Sequence, residues 1–301
     1  RVFREEAAGY QVHTGFFNSI ISMTLPALLK HGTEEQKKTH IPSLISGEVS
    51  WCQLFSEPGA GSDLAGLATR AELDGEEFVI HGQKVWNSAA IYADMGILLV
   101  RTNPNAHKHE GITFLLFDMK QRGVEVRPLI QAHGAGHFAE VFIDGAKCHV
   151  SNVLGEVDKG WGPARAVMSN ESAMIGGASG DNPQQLIQLA QELGKVDEPV
   201  IRQKLVAVYV RNKLLKIMSE KISTAVRKGK PPPIHPSIVK LYVAHNRRLE
   251  GDLAQCLLGA AGVVVTNEAS EWAMELLHAR YPISIGGGTD EVHRNNLGEQ
   301  A

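Results

Sequence analysis

The sequence predicts an α+β protein in three parts: helices, then a small antiparallel barrel or sandwich of strands, then a helical bundle. Apolar residues recur at helical spacing near the start of the chain, from Phe16 to Leu29, and again from Ile201 to Ile222. Between these regions, short apolar runs are separated by glycine and polar turns with no helical pattern. The length of 301 residues is typical of about two domains.

The composition excludes several classes of protein. Hydrophobic residues make up 43% of the chain and charged residues 21%, which is enough apolar material for a core. The net charge of -3 disfavours nucleic-acid binding. The 3 cysteines are far apart and form no Cys-x-x-Cys pair, so we expect neither a metal site nor a disulfide framework. The longest apolar stretch, at 257–265, is too short to span a membrane.

Local signals mark the individual elements. Thr33 and Gln36 match a capping box at the start of a second helix. Asp74-Gly75 between two strand-like runs predicts a hairpin. Further strands are predicted at 78–80, 97–100, 112–117, 124–126 and 140–143. In the last part, Asp197 and Pro199 mark a helix start, the prolines at 231–233 end that helix, and further helices follow over 238–249 and 271–280.

Two segments near the strands could bind a ligand. In residues 55–63, Gly59 and Gly61 allow a sharp turn and close approach of a ligand to the backbone. Leu64 stands where a dinucleotide fingerprint needs glycine, and a purely structural turn is the alternative. In residues 84–88, Trp86 could stack on a flat ring beside two small polar residues, or it could be a core tryptophan followed by a loop.

Two further candidates lie in the last part of the chain. Three glycines and Thr289 lead into a helix whose N-terminus could bind an anion, with Thr289 as a simple helix cap as the alternative. Glu171 falls on the apolar stripe that includes Ala164 and Met168. A carboxylate on such a stripe either pairs with a buried cation or lines a cavity.

Together these segments resemble the acyl-CoA dehydrogenase family. Residues 55–63, 84–88 and 287–294 match the family's motifs in the family's order, and residues 138–144 and 154–161 resemble its last barrel strand and the entry to its bundle. The resemblance implies a partial N-terminal helical domain at 1–50, a central antiparallel β-barrel at 51–155 and a C-terminal four-helix bundle at 156–301. It also implies that family helices precede Arg1 and are missing here.

The resemblance implies FAD as the cofactor and assigns residues to it. The expected FAD contacts are Phe55, Ser56, Gly61, Ser62, Trp86, Asn87, Ser88, Gly287, Gly288, Thr289 and Glu291, with Gly259 and Gly262 contributed by a neighbouring subunit. Ser62 and Ser172 are the expected contacts to the acyl-CoA substrate.

The family reaction requires a general base that removes the α-proton of the thioester while the β-hydride moves to the flavin. The family's common base position is Gly287 here, and a glycine cannot take a proton. Some relatives carry the base on the first bundle helix, and Glu171 matches that position. We therefore expect Glu171 to be the base.

Three departures from the family pattern leave alternatives open. Ser172 replaces the arginine that usually follows the base, the Arg-x-x-Phe-Gly motif is absent, and Cys256 stands in place of a glutamine. The alternatives are a non-catalytic structural partner subunit of a heteromeric acyl-CoA dehydrogenase, and a flavin oxidase or monooxygenase of the same superfamily.

The resemblance further implies a dimer or tetramer of like or unlike subunits, and an electron-transfer flavoprotein as the electron acceptor. The expected role is in fatty-acid or steroid side-chain β-oxidation. The expected location is the bacterial cytoplasm, with a mitochondrial or peroxisomal matrix as the alternative.

Overall fold

The computed structural model describes residues 17–132, 134, 136–177 and 182–299. The chain forms two compact units, one of residues 1–130 and 136–168, the other of residues 131–135 and 169–301. The predicted domain boundaries at 50 and 155 stay a prediction.

The first unit begins with two helices, α1 (Phe17–His31) and α2 (Glu34–Ser46). The capping box is confirmed: Thr33 Oγ1 accepts from the Gln36 N–H at 3.1 Å, and Gln36 Oε1 accepts from the Thr33 N–H at 3.1 Å. The Gln36 amide nitrogen also donates to the carbonyls of Ser151 and Val153. One glutamine therefore both starts α2 and fastens it to the segment that follows the last strand.

All the predicted strands are present, and they form one sheet. The seven strands are β1 (Trp51–Leu54), β2 (Arg70–Asp74), β3 (Glu77–Ser88), β4 (Met95–Arg101), β5 (Ile112–Asp118), β6 (Val124–Leu129) and β7 (Phe138–His149). Their order is β1-β4-β2-β3-β7-β6, with β5 also paired to β4. The hairpin at Asp74-Gly75 is confirmed, since β2 and β3 pair from Asp74↔Glu77 onward and Gly75 has φ 63°.

The prediction of a wholly antiparallel sheet is wrong, because β1 runs parallel to β4 and Arg70 of β2 pairs in parallel with Arg101 of β4. The chain leaves β1, forms the β2–β3 hairpin and returns as β4. A strand that returns after such a crossover can lie parallel, whereas a hairpin signal reports only antiparallel neighbours. The observed sheet is mixed, and its closure into a barrel stays a prediction.

Strands β4 and β5 are continuous apolar runs in the sequence, and burial on both of their faces explains this pattern. Successive residues of a strand point to opposite faces, and here both faces are covered. Ile97, Leu99 and Phe114 pack in the same cluster as α1 and α2, whereas Leu98 and Leu115 pack in a second cluster within the sheet. Alternate residues of β4 and β5 are therefore buried on opposite faces of the sheet.

The second unit is helical, as predicted. Its elements are α3 (Trp161–Gly177), whose first half belongs to the first unit, α4 (Asn182–Glu192), α5 (Pro199–Arg227), α6 (Pro236–Leu258), α7 (Glu268–Ile285) and α8 (Asp290–Gly298). Pro199 occupies the first turn of α5, and the predicted stripe is buried at Ile201, Leu205 and Val208. A helical C-terminal region is thus confirmed, while its arrangement as a four-helix bundle stays a prediction.

A buried carboxylate joins three of these helices. Glu250 of α6 is 1% exposed and accepts hydrogen bonds from the side chains of Asn182, Asn212, Asn246 and Arg247 at 2.7–2.9 Å. These donors lie on α4, α5 and α6. A buried charge is tolerated only when it is paired and hydrogen-bonded, and Glu250 satisfies both conditions.

Among the helices of the described residues, none combines the length and the apolarity that a membrane crossing requires.

Candidate functional site

The segment after β1 turns tightly around a buried glutamate. The Glu57 N–H donates to the Ala60 carbonyl at 2.9 Å, and the Ala60 N–H donates back to the Glu57 carbonyl at 3.0 Å. The Glu57 carboxylate accepts the backbone N–H groups of Ala68 and Thr69 at 2.7 and 2.9 Å. Glu57 thereby ties the candidate loop at 55–63 to the backbone at 68–69, just before β2.

A buried ion pair connects this loop to β3. Lys84, with no exposed surface, places its Nζ 2.8 Å from Glu57 Oε1 and donates to the Phe55 carbonyl at 3.0 Å. Burial lowers the pKa of Lys84 to about 8 although Glu57 acts to raise it. Burial alone would raise the pKa of Glu57, but the Lys84 ammonium and the hydrogen bonds outweigh it and hold that pKa below its ordinary value. Each partner therefore depends on the other to remain charged.

Two of the predicted segments are thus brought together. Besides the lysine contact, the Val85 N–H donates to the Ser56 carbonyl at 2.9 Å. Phe55 is buried and Ser56 is half-buried beside the end of β3. The predicted residues of the two segments therefore lie on adjoining backbone, which sequence spacing alone did not establish.

Trp86 lies in a β-bulge. In the β3–β7 ladder, Lys84 pairs with Val141 and Asn87 pairs with Ala139, so two residues of β3 oppose one residue of β7. Trp86 has φ 62°, in the left-handed region that a bulky side chain rarely adopts. Its indole is 61% exposed and meets the Phe138 ring edge-on at 5.9 Å between centroids. The alternative of a core tryptophan is therefore wrong.

The two polar neighbours of Trp86 differ in their surroundings. Ser88 is half-buried at the end of the β3–β7 ladder, where it pairs with Phe138. Asn87 is 1% exposed, and neither atom of its side-chain amide has a hydrogen-bond partner among the described residues. A buried amide without a partner is costly, so Asn87 marks a place where a further polar group is needed.

The loop tip at 59–62 is open. Gly59, Gly61 and Ser62 are exposed, and a Cβ at either glycine would meet no atom within 4 Å. Neither glycine has a positive φ, so the backbone of this turn does not itself require glycine, and the expected close approach of a ligand stays a prediction. Asp63 pairs with Lys108 at 2.7 Å, which holds the far side of the tip.

In the second unit, the glycine turn before α8 is held from both sides. Gly287 and Gly288 have φ 65° and 94°, which only glycine adopts readily. Thr289 caps α8 by accepting the Val292 N–H at 3.2 Å, as the helix-cap alternative predicted. Glu291 is exposed and pairs with Arg294 at 3.3 Å.

Side chains of α6 hold the residues that flank this turn. Asp290 is 4% exposed and lies 3.4 Å from Lys240 Nζ and 2.5 Å from Arg248 Nη2. Arg248 Nη2 also donates to Ser284 Oγ at 2.7 Å. His293, 5% exposed, lies between the Gly287 carbonyl and a hydroxyl of α6.

Gly259 and Gly262 lie at the end of α6. Gly259 has φ 58° and is exposed, and no atom lies within 4 Å of where its Cβ would be. Gly262 is buried, and its carbonyl accepts from Gln255 Nε2 at 3.1 Å. Gln255 therefore orders this turn. It is adjacent to Cys256, the position at which the family's glutamine is missing.

The expected base and its neighbour lie on α3. Glu171 is half-buried, while the side chain of Ser172 lies outside the described residues. Two residues of the apolar stripe predicted around Glu171 are buried as expected: Ala164 is fully buried, and Met168 is partly buried against the core.

Sequence reasoning missed the residues that hold the site residues in place. These residues are Lys84, which lies inside the candidate segment at 84–88, and Glu57, Lys240 and Asp290. Polar residues that are buried by partners far along the chain leave no periodic signal. Lys84 itself stands between Gln83 and Val85, so no local contrast in polarity marks it as buried.

Two protein-family models together match most of the chain. Residues 52–153 match the family model described as acyl-CoA dehydrogenase, middle domain, and residues 158–301 match acyl-CoA dehydrogenase, C-terminal domain. All the strand-borne site residues fall in the first match, and Glu171 with the glycine turns falls in the second.

Individual relatives cover most of the chain. Acyl-CoA dehydrogenase IpdE1 of Mycobacterium tuberculosis is 34% identical over 91% of this chain and 72% of its own length. Acyl-CoA dehydrogenase FadE34 of the same organism is 38% identical over 89% of this chain, which spans only 37% of FadE34. The solved structure of the Tcur3481-Tcur3483 steroid ACAD has a TM-score of 0.85 and 30% identity, covering 94% of this chain and 76% of that one. On these matches, the chain belongs to the acyl-CoA dehydrogenase family, a family of flavoprotein oxidoreductases.

Proposed function

We propose that this protein catalyses the FAD-dependent α,β-dehydrogenation of an acyl-CoA thioester, with Glu171 as the general base. The observation that carries the proposal is the bulge at Trp86, where a large aromatic ring stands exposed on left-handed backbone. Such strain costs about 1–3 kcal/mol and is retained where a site uses it. The buried Glu57–Lys84 pair beside it keeps the neighbouring backbone in place.

The residues present fit a flavin. The exposed indole of Trp86 offers a flat surface for a ring system, and Ser88 offers a hydroxyl beside it. The side-chain amide of Asn87 has hydrogen-bonding groups available for a ligand, and the open space around Gly61 would let a ligand approach the backbone. When bound, FAD would supply the acceptor for the hydride that leaves the β-carbon.

Thr289 and Glu291 are the proposed contacts to the adenosine part of FAD, and Gly259 and Gly262 are the proposed contacts contributed by a neighbouring subunit. The left-handed backbone at the glycine turn and at Gly259 brings main chain to the surface without side chains. This pattern suits close approach of a ligand to the backbone.

Glu171 would take the α-proton of the thioester onto a carboxylate oxygen. Gly287, at the family's common base position, has no side chain to do so, and Glu171 is a half-buried carboxylate on a stripe that is otherwise apolar. Hydrogen bonds to the thioester carbonyl would stabilise the negative charge that develops as the proton leaves. Ser62 and Ser172 are the proposed substrate contacts.

The substitution Glu171→Gln tests this role. The variant should keep the visible flavin absorption of the purified protein and lose turnover of its acyl-CoA substrate by about 10²–10⁴-fold, the usual contribution of a general base. Glu220→Gln, on the exposed face of α5, is the matched control and should leave turnover unchanged. Full activity in Glu171→Gln would refute the assignment of the base.

The second candidate is a non-catalytic partner subunit of a heteromeric acyl-CoA dehydrogenase. Gly287 in place of the common base and Ser172 in place of arginine favour it, as does the paired name of the Tcur3481-Tcur3483 steroid ACAD. Purification of the chain alone and with a co-expressed homologue distinguishes the two. Flavin bound to this chain that a thioester bleaches supports the enzyme, whereas a colourless chain supports the partner subunit.

The substrate class proposed is a branched, long or steroid side-chain acyl-CoA, and the electron acceptor proposed is an electron-transfer flavoprotein. The likeness to a solved steroid ACAD supports the steroid-like end of this range. A panel of acyl-CoA thioesters, scored by the rate of flavin bleaching, tests the substrate. Preference for short straight chains would contradict it.

A further inference from the structure

The glycine turn before α8 contains a histidine whose protonation state can be assigned from its partners. His293 Nε2 lies 3.0 Å from the Gly287 carbonyl oxygen, and Nδ1 lies 2.9 Å from Ser237 Oγ. A carbonyl oxygen only accepts hydrogen bonds, so Nε2 must carry a proton. A hydroxyl can donate, so a neutral imidazole accepts from Ser237 at Nδ1.

The ring of His293 also fills the space that the turn leaves open. A Cβ at Gly288 would lie 3.0 Å from His293 Nε2, closer than ordinary contacts allow, and Gly288 has φ 94°. The glycine and the histidine therefore fit each other. The imidazole bridges the turn to α6, because Ser237 lies in the first turn of that helix.

The charges around His293 oppose a second proton on the ring. Lys240 and His235 face it from α6 and its cap, Asp290 faces it from α8, and Arg248 pairs with the same Asp290. Two cations thus share one carboxylate beside the imidazole. Burial first, and then Lys240, lower the pKa of His293 below its ordinary value of 6.5, against the opposing effect of the Gly287 hydrogen bond.

We propose that His293 is a positioning residue that, as the neutral Nε2-protonated tautomer, fixes the Gly287 carbonyl and makes the shape of the glycine turn depend on pH. The inference rests on the proposed function only in taking this turn as part of the FAD site. Protonation of the ring adds a positive charge near Lys240, where Asp290 is already paired with both Lys240 and Arg248. The turn then relaxes, and FAD binds more weakly.

The sign of the pH effect follows from the direction of the pKa shift. Because the folded-state pKa lies below 6.5, the unfolded or relaxed form takes up the proton first. The ordered turn is therefore fully stable above about pH 6.5 and loses stability as the pH falls below that value. The pH window for the experiment lies between about 7.5 and 5.5.

Binding of FAD to the apoprotein at these two pH values provides the first test. For wild type, the dissociation constant for FAD should rise several-fold on acidification, because the relaxed form of the turn takes up the proton first. His293→Gln keeps a neutral donor and an acceptor, so its constant should change by less than about twofold. His278 is hydrogen-bonded within α7 to the Met274 carbonyl, and His278→Gln is the matched control. Its dissociation constant for FAD should show the same pH dependence as that of wild type. Equal pH dependence in wild type and His293→Gln overturns the proposal.

The ring nitrogens provide a second test that does not depend on FAD. In ¹⁵N-labelled chain near pH 7.5, the His293 signals should report a neutral ring with the proton on Nε2. A proton on Nδ1, or a charged ring, overturns the proposal even if FAD binds. Failure of wild type to bind FAD at either pH would count against the proposed function alone, and the tautomer would then decide the role of His293.

Discussion

The buried pair of Glu57 and Lys84 allows a quantitative prediction. Lys84 has no exposed surface and Glu57 is 8% exposed, so Lys84→Met leaves a carboxylate buried without its cation. It also leaves the Phe55 carbonyl without its donor. Removal of one partner of a buried pair costs about 3–5 kcal/mol of unfolding free energy. The lost bond to Phe55 falls within that range.

A double-mutant cycle separates the pair from the other effects. Glu57→Gln removes the charge but leaves one amide oxygen for the backbone N–H groups of Ala68 and Thr69, so it too destabilises. The double variant contains no buried charge. Its loss should be smaller than the sum of the single losses by about 2–3 kcal/mol, the upper range for groups in direct contact.

The assay is urea unfolding followed by circular dichroism, with the slope compared among variants to detect changes in the unfolded state. Lys147→Met is the matched control, because Lys147 makes an equally short contact of 2.7 Å with Glu77 but both side chains are exposed. Its midpoint should stay close to that of wild type. Single losses that add to within about 0.5 kcal/mol in the double variant would refute the reasoning.

The remaining predictions concern strain and the helical unit. The apoprotein of Trp86→Gly should be more stable than that of Trp86→Ala by about 1 kcal/mol, because both variants lose the indole but only glycine adopts the positive φ without strain, and both variants should bind flavin more weakly. A Trp86→Ala variant at least as stable as Trp86→Gly would contradict strain at the bulge. Glu250→Ala should lower the free energy of unfolding by about 3–5 kcal/mol, because it removes the buried carboxylate to which Arg247 and three asparagine amides donate. Thermal unfolding measures this loss of stability. Glu220→Ala, at an exposed position of α5, is the control and should leave the melting temperature unchanged. Equal melting temperatures of the Glu250 and Glu220 variants would contradict the prediction.

The sequence by itself determined what depends on near neighbours. The Thr33–Gln36 capping box, the Asp74-Gly75 hairpin and the stripe through Ile201 and Leu205 were all predicted, because each is a pattern within a few residues. The order of helices, strands and helices followed from the same local signals. So did the segments that contain the candidate site, although their chemistry came from resemblance to a family.

The tertiary structure alone decided which distant residues meet. One example is the parallel pairing of β1 with β4. Two others are the contact of Lys84 with Glu57, which are 27 residues apart, and the contact of His293 with Ser237, which are 56 residues apart. The Trp86 bulge likewise depends on the register of β7. Such contacts arise because burial forces each polar group to find a partner wherever the packed chain supplies one. Local patterns show which apolar faces will be buried, but packing decides which polar groups are buried with them and which partners these groups bond.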